Sequence, residues 1–422
     1  MLKKLIVLMA LWLTACAAQP TPVPTPTVTP RPTATPSPTP TPTPIPHCPA
    51  PQSVAPWNPP TDFNGYPDAI RAYLNAGGPR EALTAILTNA SSITTTVGGV
   101  QTFDLTGDGE LETIVSIYDP ATLDRSPAPA GLLLIYGCSN RQAVLLYADA
   151  SDNGSSLPRP IKIGNLVAAK RGGQVAVQTS TCGAHTCFEQ LDVLGWNGST
   201  FVSLMGTPLS LPSATFTFVV APGDPAFEIE AQGGTINSVG AGPQRTEKQI
   251  WKWNGSQYVK AATELSPVEY RIHAIYEGDD AFTAGDYARA VDWYSRAITD
   301  DNLKDWHAEI GYRTQNDRAI LTAYARFRLL LIGVVRGDAN ARDQLDQLTA
   351  QFPDGTPGYL TRQMAQTFWD KYEATNDLKA ACAEANAYAN SGDNNQYLIV
   401  DDLNLFGYTN RTYTSDDMCP VK

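Results

Sequence analysis

The nine residues Asp104-Leu105-Thr106-Gly107-Asp108-Gly109-Glu110-Leu111-Glu112 place oxygen-bearing side chains at every second position. Oxygen ligands at that spacing can wrap one hard cation, and Gly109 permits the sharp turn that wrapping requires. Asp104, Thr106, Asp108, Glu110 and Glu112 are therefore a candidate metal-binding set, with Ca²⁺ as the candidate cofactor. An EF-hand is excluded, because its twelfth loop position would be Val115 and not a bidentate glutamate. A second constellation, Cys182-Gly183-Ala184-His185-Thr186-Cys187, offers three ligands for a metal. Zinc would need a fourth ligand or an open position, and reduced thiols. In an exported chain a disulfide-clipped hairpin is expected there instead, with His185 exposed in its loop.

Other chemistry is sparse. The four histidines, His47, His185, His273 and His307, show no His-Glu-x-x-His spacing. Gly-x-Ser-x-Gly, P-loop and Gly-x-Gly-x-x-Gly patterns are absent. Ser151-Asp152-Asn153 has no Ser-x-x-Lys to accompany it and reads as a loop. The pairs Asp279-Asp280, Asp300-Asp301 and Asp401-Asp402 could supply an acid and a base if a cleft gathered them. Such pairs more commonly sit at solvated helix ends, so no catalytic residue is assigned.

The acidic loop resembles that of FG-GAP and VCBS-type β-repeats, usually Asp-x-Asp/Asn-x-Asp-Gly-x-x-Asp. Asp104, Asp108 and Glu112 match in type, and Thr106 replaces the usual second ligand. At the other end of the chain, Leu13-Thr14-Ala15-Cys16 follows Lys3-Lys4 and the apolar run Leu5 to Leu13. The basic and apolar regions form a secretory signal too short to span a bilayer, and the four residues resemble the lipobox of bacterial lipoproteins. The resemblance implies acylation of Cys16 and an extracytoplasmic, lipid-anchored protein of the cell envelope.

Residues 20–46 are nearly pure Thr-Pro alternation and hold 12 of the 33 prolines. With too few apolar groups for a core, they are expected to form an extended polyproline II tether reaching about 80 Å. The formal net charge of −12 argues against nucleic acid and against an anionic membrane surface. Besides Cys16 there are six cysteines, an even number that favours disulfides in an exported chain. Several pairings are open. The expected set is Cys182–Cys187, which is local, Cys382–Cys419, within one apparent domain, and Cys48–Cys138, which takes what remains.

Beyond the tether the pattern changes twice. Residues 66–90 carry helical spacing broken at Gly77-Gly78-Pro79, which predicts a helical hairpin. From 93 to 265, short β-branched runs such as Thr113 to Tyr118, Leu132 to Tyr136, Val144 to Tyr147 and Val175 to Thr179 predict strands. Trp196-Asn197-Gly198-Ser199-Thr200-Phe201 and Trp253-Asn254-Gly255-Ser256-Gln257-Tyr258 predict two type I′ hairpins with aromatics meeting across the strands. From 266 the spacing is helical. Glu277 to Ile298 resembles a tetratricopeptide repeat (TPR), with Gly278, Ala281, Ala290 and Ala297 at the small positions, Tyr294 as the aromatic and Gly285-Asp286 at the turn. Two weaker units follow: 318–335 with 341–352, and 361–373 with 378–389. Leu329 to Val335, bracketed by Arg326, Arg328 and Arg336, reads as a buried helix.

The expected organisation is a multidomain α+β chain: signal peptide 1–16, tether 17–50, helical hairpin 51–92, a β-rich repeat domain 93–265 (sandwich or partial propeller) and an all-α TPR-like array 266–422 with a disulfide-pinned tail. The TPR resemblance implies a concave face that takes a protein or peptide partner through Asn, Arg and aromatic side chains. Arg271, Tyr312, Asn316 and Arg362 are the candidate binding residues. The competing expectations are an extracytoplasmic hydrolase of cell-wall or polysaccharide substrate and a purely structural envelope protein.

Overall fold

The computed structural model describes residues 48, 50, 56–124, 129–151, 154–183, 185–220, 223, 225–311, 316–391 and 399–421. Cys16 with the lipobox-like residues before it, the Thr-Pro run expected to form a tether (up to residue 47), and Tyr312 lie outside the described residues. Ile45–Lys422 form one compact unit.

That unit opens with the expected hairpin, α1 (Tyr66–Asn75) and α2 (Arg80–Asn89). Three antiparallel sheets follow among the described residues, each an up-and-down meander. The first is β1 (Gly99–Phe103), β2 (Glu112–Tyr118), β3 (Gly131–Ser139) and β4 (Gln142–Ala150). The second is β5 (Arg159–Gly164), β6 (Gln174–Cys182), β7 (Cys187–Trp196) and β8 (Phe201–Ser203), with β9 (Leu209–Pro212) added on β7. The third is β10 (Thr215–Val220), β11 (Phe227–Gly233), β12 (Glu247–Trp253) and β13 (Tyr258–Leu265).

The sheets stack because their two faces are buried by different partners. On one face of the first sheet, Val115, Ile117, Leu134 and Tyr136 pack against Ile70, Leu74, Leu83 and Leu87 of the hairpin. On the other, Ile114, Leu133 and Ile135 meet Val175, Val177 and Leu194 of the second sheet. This double coverage buries β2 along its whole length and explains its near-continuous apolar sequence. The second sheet's far face, with Ala176, Leu191 and Val193, packs on Ile229, Ala231 and Trp251 of the third.

The two Asn-Gly segments need a correction. Trp196 pairs with Phe201 and Trp253 with Tyr258, with ring centroids 5.2 and 5.5 Å apart, so the aromatics do meet. The loops between them are four residues long, however, and neither Asn197 nor Asn254 has the positive φ of a type I′ turn. Each Asn side chain instead accepts hydrogen bonds from the backbone N–H groups two and three residues on, an Asx-type turn. Paired left-handed residues occur instead at Asn140-Arg141, with φ of 52° and 62°, between the paired Ser139 and Gln142.

The helical part comprises α3 (Arg271–Thr283), α4 (Tyr287–Thr299), the short α5 (Trp306–Glu309), α6 (Asp317–Arg336), α7 (Asp343–Gln351), α8 (Tyr359–Thr375), α9 (Leu378–Ala389) and α10 (Ile399–Asn404). Asp286, Asn316 and Asp377 cap α4, α6 and α9 through their side chains. Gly278 shows why the α3–α4 pair needs small residues: a Cβ there would stand 2.6 Å from the Tyr294 ring. Leu330, Leu331 and Ile332 lie in the α-helical core, as expected for that run. No described helix is long and apolar enough to cross a membrane. The disulfides are Cys48–Cys138, Cys182–Cys187 and Cys382–Cys419; they mark an oxidising, extracytoplasmic environment.

Candidate functional site

The acidic loop joins β1 to β2. Asp104 accepts from the N–H groups of Gly107 (2.7 Å) and Gly109 (3.1 Å), and Asp108 from Glu110 N–H (2.8 Å). Glu112, buried at the start of β2, accepts from the N–H groups of Leu105 (2.6 Å) and Thr106 (3.0 Å) and from the Thr106 hydroxyl. Burial pushes the Glu112 carboxyl up to about 7, with the neighbouring Asp108 and Asp104 charges adding to the rise. Asp104, Thr106, Asp108 and Glu112 thus lie on one turn, but the carboxylates of Asp104, Asp108 and Glu112 do not come within 4.8 Å of one another as a set. Glu110 is a correction: its carboxylate turns toward the Cys48–Cys138 disulfide, so toward the loop it would offer its backbone carbonyl alone. The two sulfurs beside it are bonded to each other and are not metal ligands.

The helical array builds a second polar centre, which sequence reasoning missed. Asp279 of α3, 3% exposed, lies at its middle. It accepts from the phenols of Tyr294 (2.5 Å), Tyr324 (3.2 Å) and Tyr413 (2.6 Å). Arg328 of α6, 2% exposed, pairs with it at 3.0 Å. Burial holds all three phenols well above the ordinary tyrosine range, so each keeps its proton and donates.

Tyr413 belongs to the C-terminal tail, which crosses the helices in turn. Arg411 pairs with Asp280 of α3 (2.6 Å). Arg328 of α6 donates to the backbone carbonyls of Asp417 (3.3 Å) and Met418 (3.2 Å). On α9, Asn386 accepts from Cys419 N–H (2.9 Å) and donates to Cys419 C=O (3.3 Å), beside the Cys382–Cys419 bond. The array therefore holds a turned segment of its own chain, with a single 3-10 turn at Ser415–Asp417. It does so through side chains (Tyr413 and Arg411, with Met418 in the core) and through backbone groups of residues 417–419. The disulfide-pinned tail reaches beyond the last hairpin, back to α3.

The four candidate binding residues fare differently. Arg271 does not lie on a binding face. It is 1% exposed, pairs with Asp305 (2.8 Å), and donates to the carbonyls of Ala297 (2.6 Å) and Leu303 (3.2 Å). Those carbonyls end α4 and precede α5, and Arg271 supplies the donors they lack. Asn316 is exposed and occupied in capping α6, accepting from Ala319 N–H (3.0 Å). Arg362 pairs with Asp354 and is half-buried. Among the described residues, none of these three hydrogen-bonds or ion-pairs with the tail. Arg328 had one sequence signal: a charged residue set between Phe327 and Leu329 in an apolar helix.

The two parts of the compact unit are joined through the β11–β12 loop. His273 shares a hydrogen bond with Pro243 C=O (3.2 Å), and Arg245 pairs with Glu277 (2.7 Å). Thr409 donates from its N–H and hydroxyl to Ala241 C=O (3.3 and 2.6 Å).

No family model matches the sequence, and no curated protein matches it. Among solved structures, part of the fold is similar to a Bacillus licheniformis rhamnogalacturonan lyase of family PL11, at 12% identity and a TM-score of 0.28. The alignment covers 42% of this chain and 37% of that one, so the chain spans little more than a third of that protein's length. A likeness at that level carries no argument about function.

Proposed function

We propose that this protein is a lipid-anchored extracytoplasmic scaffold whose TPR-like array binds a protein or peptide segment, held away from the membrane by the Thr-Pro tether. The observation that carries the reading is the grip on residues 417–419. Arg328 and Asn386 engage backbone N–H and C=O groups, which every peptide presents. A partner is read by the same groups once the tail yields its place.

The test uses the full mature chain with a protease site placed in 392–398 and Cys382→Ser/Cys419→Ser. After cleavage, the fragment 399–422 is expected to dissociate on dilution, and a labelled copy should rebind with saturable anisotropy while helical circular dichroism persists. If the array loses its helicity as the fragment leaves, or if the fragment never exchanges, the tail is core and the peptide-binding reading fails.

A second reading concerns the β1–β2 loop, which we propose as a Ca²⁺ site of FG-GAP/VCBS-like type. Its support is the alternation of oxygen-bearing side chains through one tight turn, where the Asp108 and Asp104 charges add to the rise of the Glu112 carboxyl. The three carboxylates do not lie within ligand distance of one another as a set, so a bound cation would have to draw them together. Within that reading the stacked meanders correspond to blades of a partial propeller. Millimolar Ca²⁺ should raise the melting temperature of the mature chain; an unchanged melt rejects the site.

A further inference from the structure

A cavity of about 330 Å³ opens between the first and second sheets. Its lining is set by register. Tyr147 and Asp149 of β4 lie directly opposite Ile135 and Leu133. Asp192 and Gln190 of β7 lie opposite Val177 and Thr179, and Ser203 of β8 lies opposite Leu194. Directly opposed residues share a face of the sheet. Ile135, Leu133, Val177 and Leu194 form the apolar layer between the two sheets. Tyr147, Asp149, Thr179, Gln190, Asp192 and Ser203 therefore share the face that carries this layer, at its open edge, where Gln190 and Ser203 are exposed. A sheet stack normally carries apolar side chains on such a face. The β3–β4 register shifts between Ile135 and Tyr136, and an irregularity of that kind re-aims a strand.

Polar groups here are organised around the opening. The Ser203 hydroxyl donates to Asp192 at 2.5 Å. Burial, followed by the Asp149 and Asp192 charges, raises the Tyr147 phenol, so the phenol keeps its proton beside both carboxylates. Carboxylates accept hydrogen bonds, and hydroxyls and the Gln190 amide both donate and accept. Leu194, Met205 and Pro208 add an apolar wall. Among the described residues the lining includes two aspartates and no lysine, arginine or histidine.

We infer that this cavity binds a neutral saccharide. Each sugar hydroxyl is both donor and acceptor, which suits a lining that mixes carboxylates, hydroxyls and an amide. The C–H face of the ring suits the apolar wall. Without a basic residue in the lining, uronate, sulfate or phosphate groups would meet like charge. An amine would use the carboxylates but leave the hydroxyls and amide without a role, so the sugar is the better match. The site lies on the β-sheets and is independent of the peptide-binding reading.

The test is calorimetric titration of the mature chain with neutral cello-, malto-, manno- and xylo-oligosaccharides, a uronate oligosaccharide and spermidine. At least one neutral sugar should bind, and the uronate should not. Asp192→Asn and Tyr147→Phe, both close to isosteric, should each weaken that sugar about tenfold, a loss typical of one hydrogen bond to a charged or buried group. Their melting curves confirm that they fold. Failure of every neutral sugar overturns the inference, as does binding that neither substitution weakens. Uptake of spermidine with no sugar binding would show the cavity to be an amine site instead.

Discussion

Replacing Arg328 by Met tests how the helical array holds both itself and the tail. The guanidinium is 2% exposed and meets Asp279 at 3.0 Å, the Tyr294 hydroxyl at 3.0 Å and two tail carbonyls. Met keeps much of the apolar volume against Phe282, over which the guanidinium lies at 4.5 Å. What it removes is the charge. Breaking a buried pair by deleting one partner costs about 3–5 kcal/mol, because the other charge stays buried. The tyrosine phenols still donate to Asp279, which puts the expected loss at the lower end, about 3 kcal/mol. Asp279→Leu alone should cost a similar amount, since it strands the guanidinium. The double substitution removes both charges, and its cost should fall short of the sum by about 2 kcal/mol. Urea unfolding followed by circular dichroism, with disulfides intact, gives all three values. Amide exchange should also accelerate at Met418 and Cys419 in the Arg328 variant more than in α4. A loss under about 1 kcal/mol, or strict additivity of the two substitutions, would refute the account of a coupled buried pair.

Three further outcomes are expected. Gly278→Ala drives a Cβ to 2.6 Å from the Tyr294 ring; overpacking of this kind costs about 1–3 kcal/mol, readable in the urea midpoint. Glu112 has a folded-state carboxyl raised from 4.5 to about 7. The folded protein therefore binds more protons than the unfolded one between those values, and stability should fall as pH rises through that window, by about 1–3 kcal/mol after screening. Glu112→Gln should flatten the fall, and an unchanged slope in pH-dependent melts would reject Glu112 as its source. Finally, Cys16→Ser should abolish metabolic labelling with palmitate and shift the protein out of the membrane fraction; retained labelling would assign the lipid elsewhere.

What the sequence made legible was what local chain physics determines. The α3–α4 pair was readable because Gly278, Ala281, Ala290 and Ala297 recur at helical spacing around one aromatic. The strand runs were readable from β-branched residues between turn formers. Features set by long-range packing were not. Arg271 looked like a surface cation, since nothing nearby in sequence announces that the carbonyls of Ala297 and Leu303 need its donors. Asp192 alternates with Leu191 and Val193, the pattern of a strand with one wet face. Only the stacking of the first sheet turns that wet face into a cavity wall. Asn197 carried a correct turn signal with the wrong geometry, because its side chain competes with the backbone for the same N–H groups.

The tail's attachment bears on how any partner would be found. A segment tethered within the same chain competes at an effective concentration on the order of millimolar. An outside peptide of micromolar affinity would then occupy little of the array at micromolar dose, even with the disulfide open. With Cys382–Cys419 closed, the loop between the cysteines spans 37 residues, and the cross-link adds about 4 kcal/mol against full release. Capture experiments on the oxidised chain should therefore return little at the array even if it is a peptide-binding module. The same experiment on Cys382→Ser/Cys419→Ser, with the tail cleaved, removes both the covalent bond and the tether. A partner that appears only under those conditions would identify the tail as its competitor, and one that binds the oxidised chain equally well must use another surface.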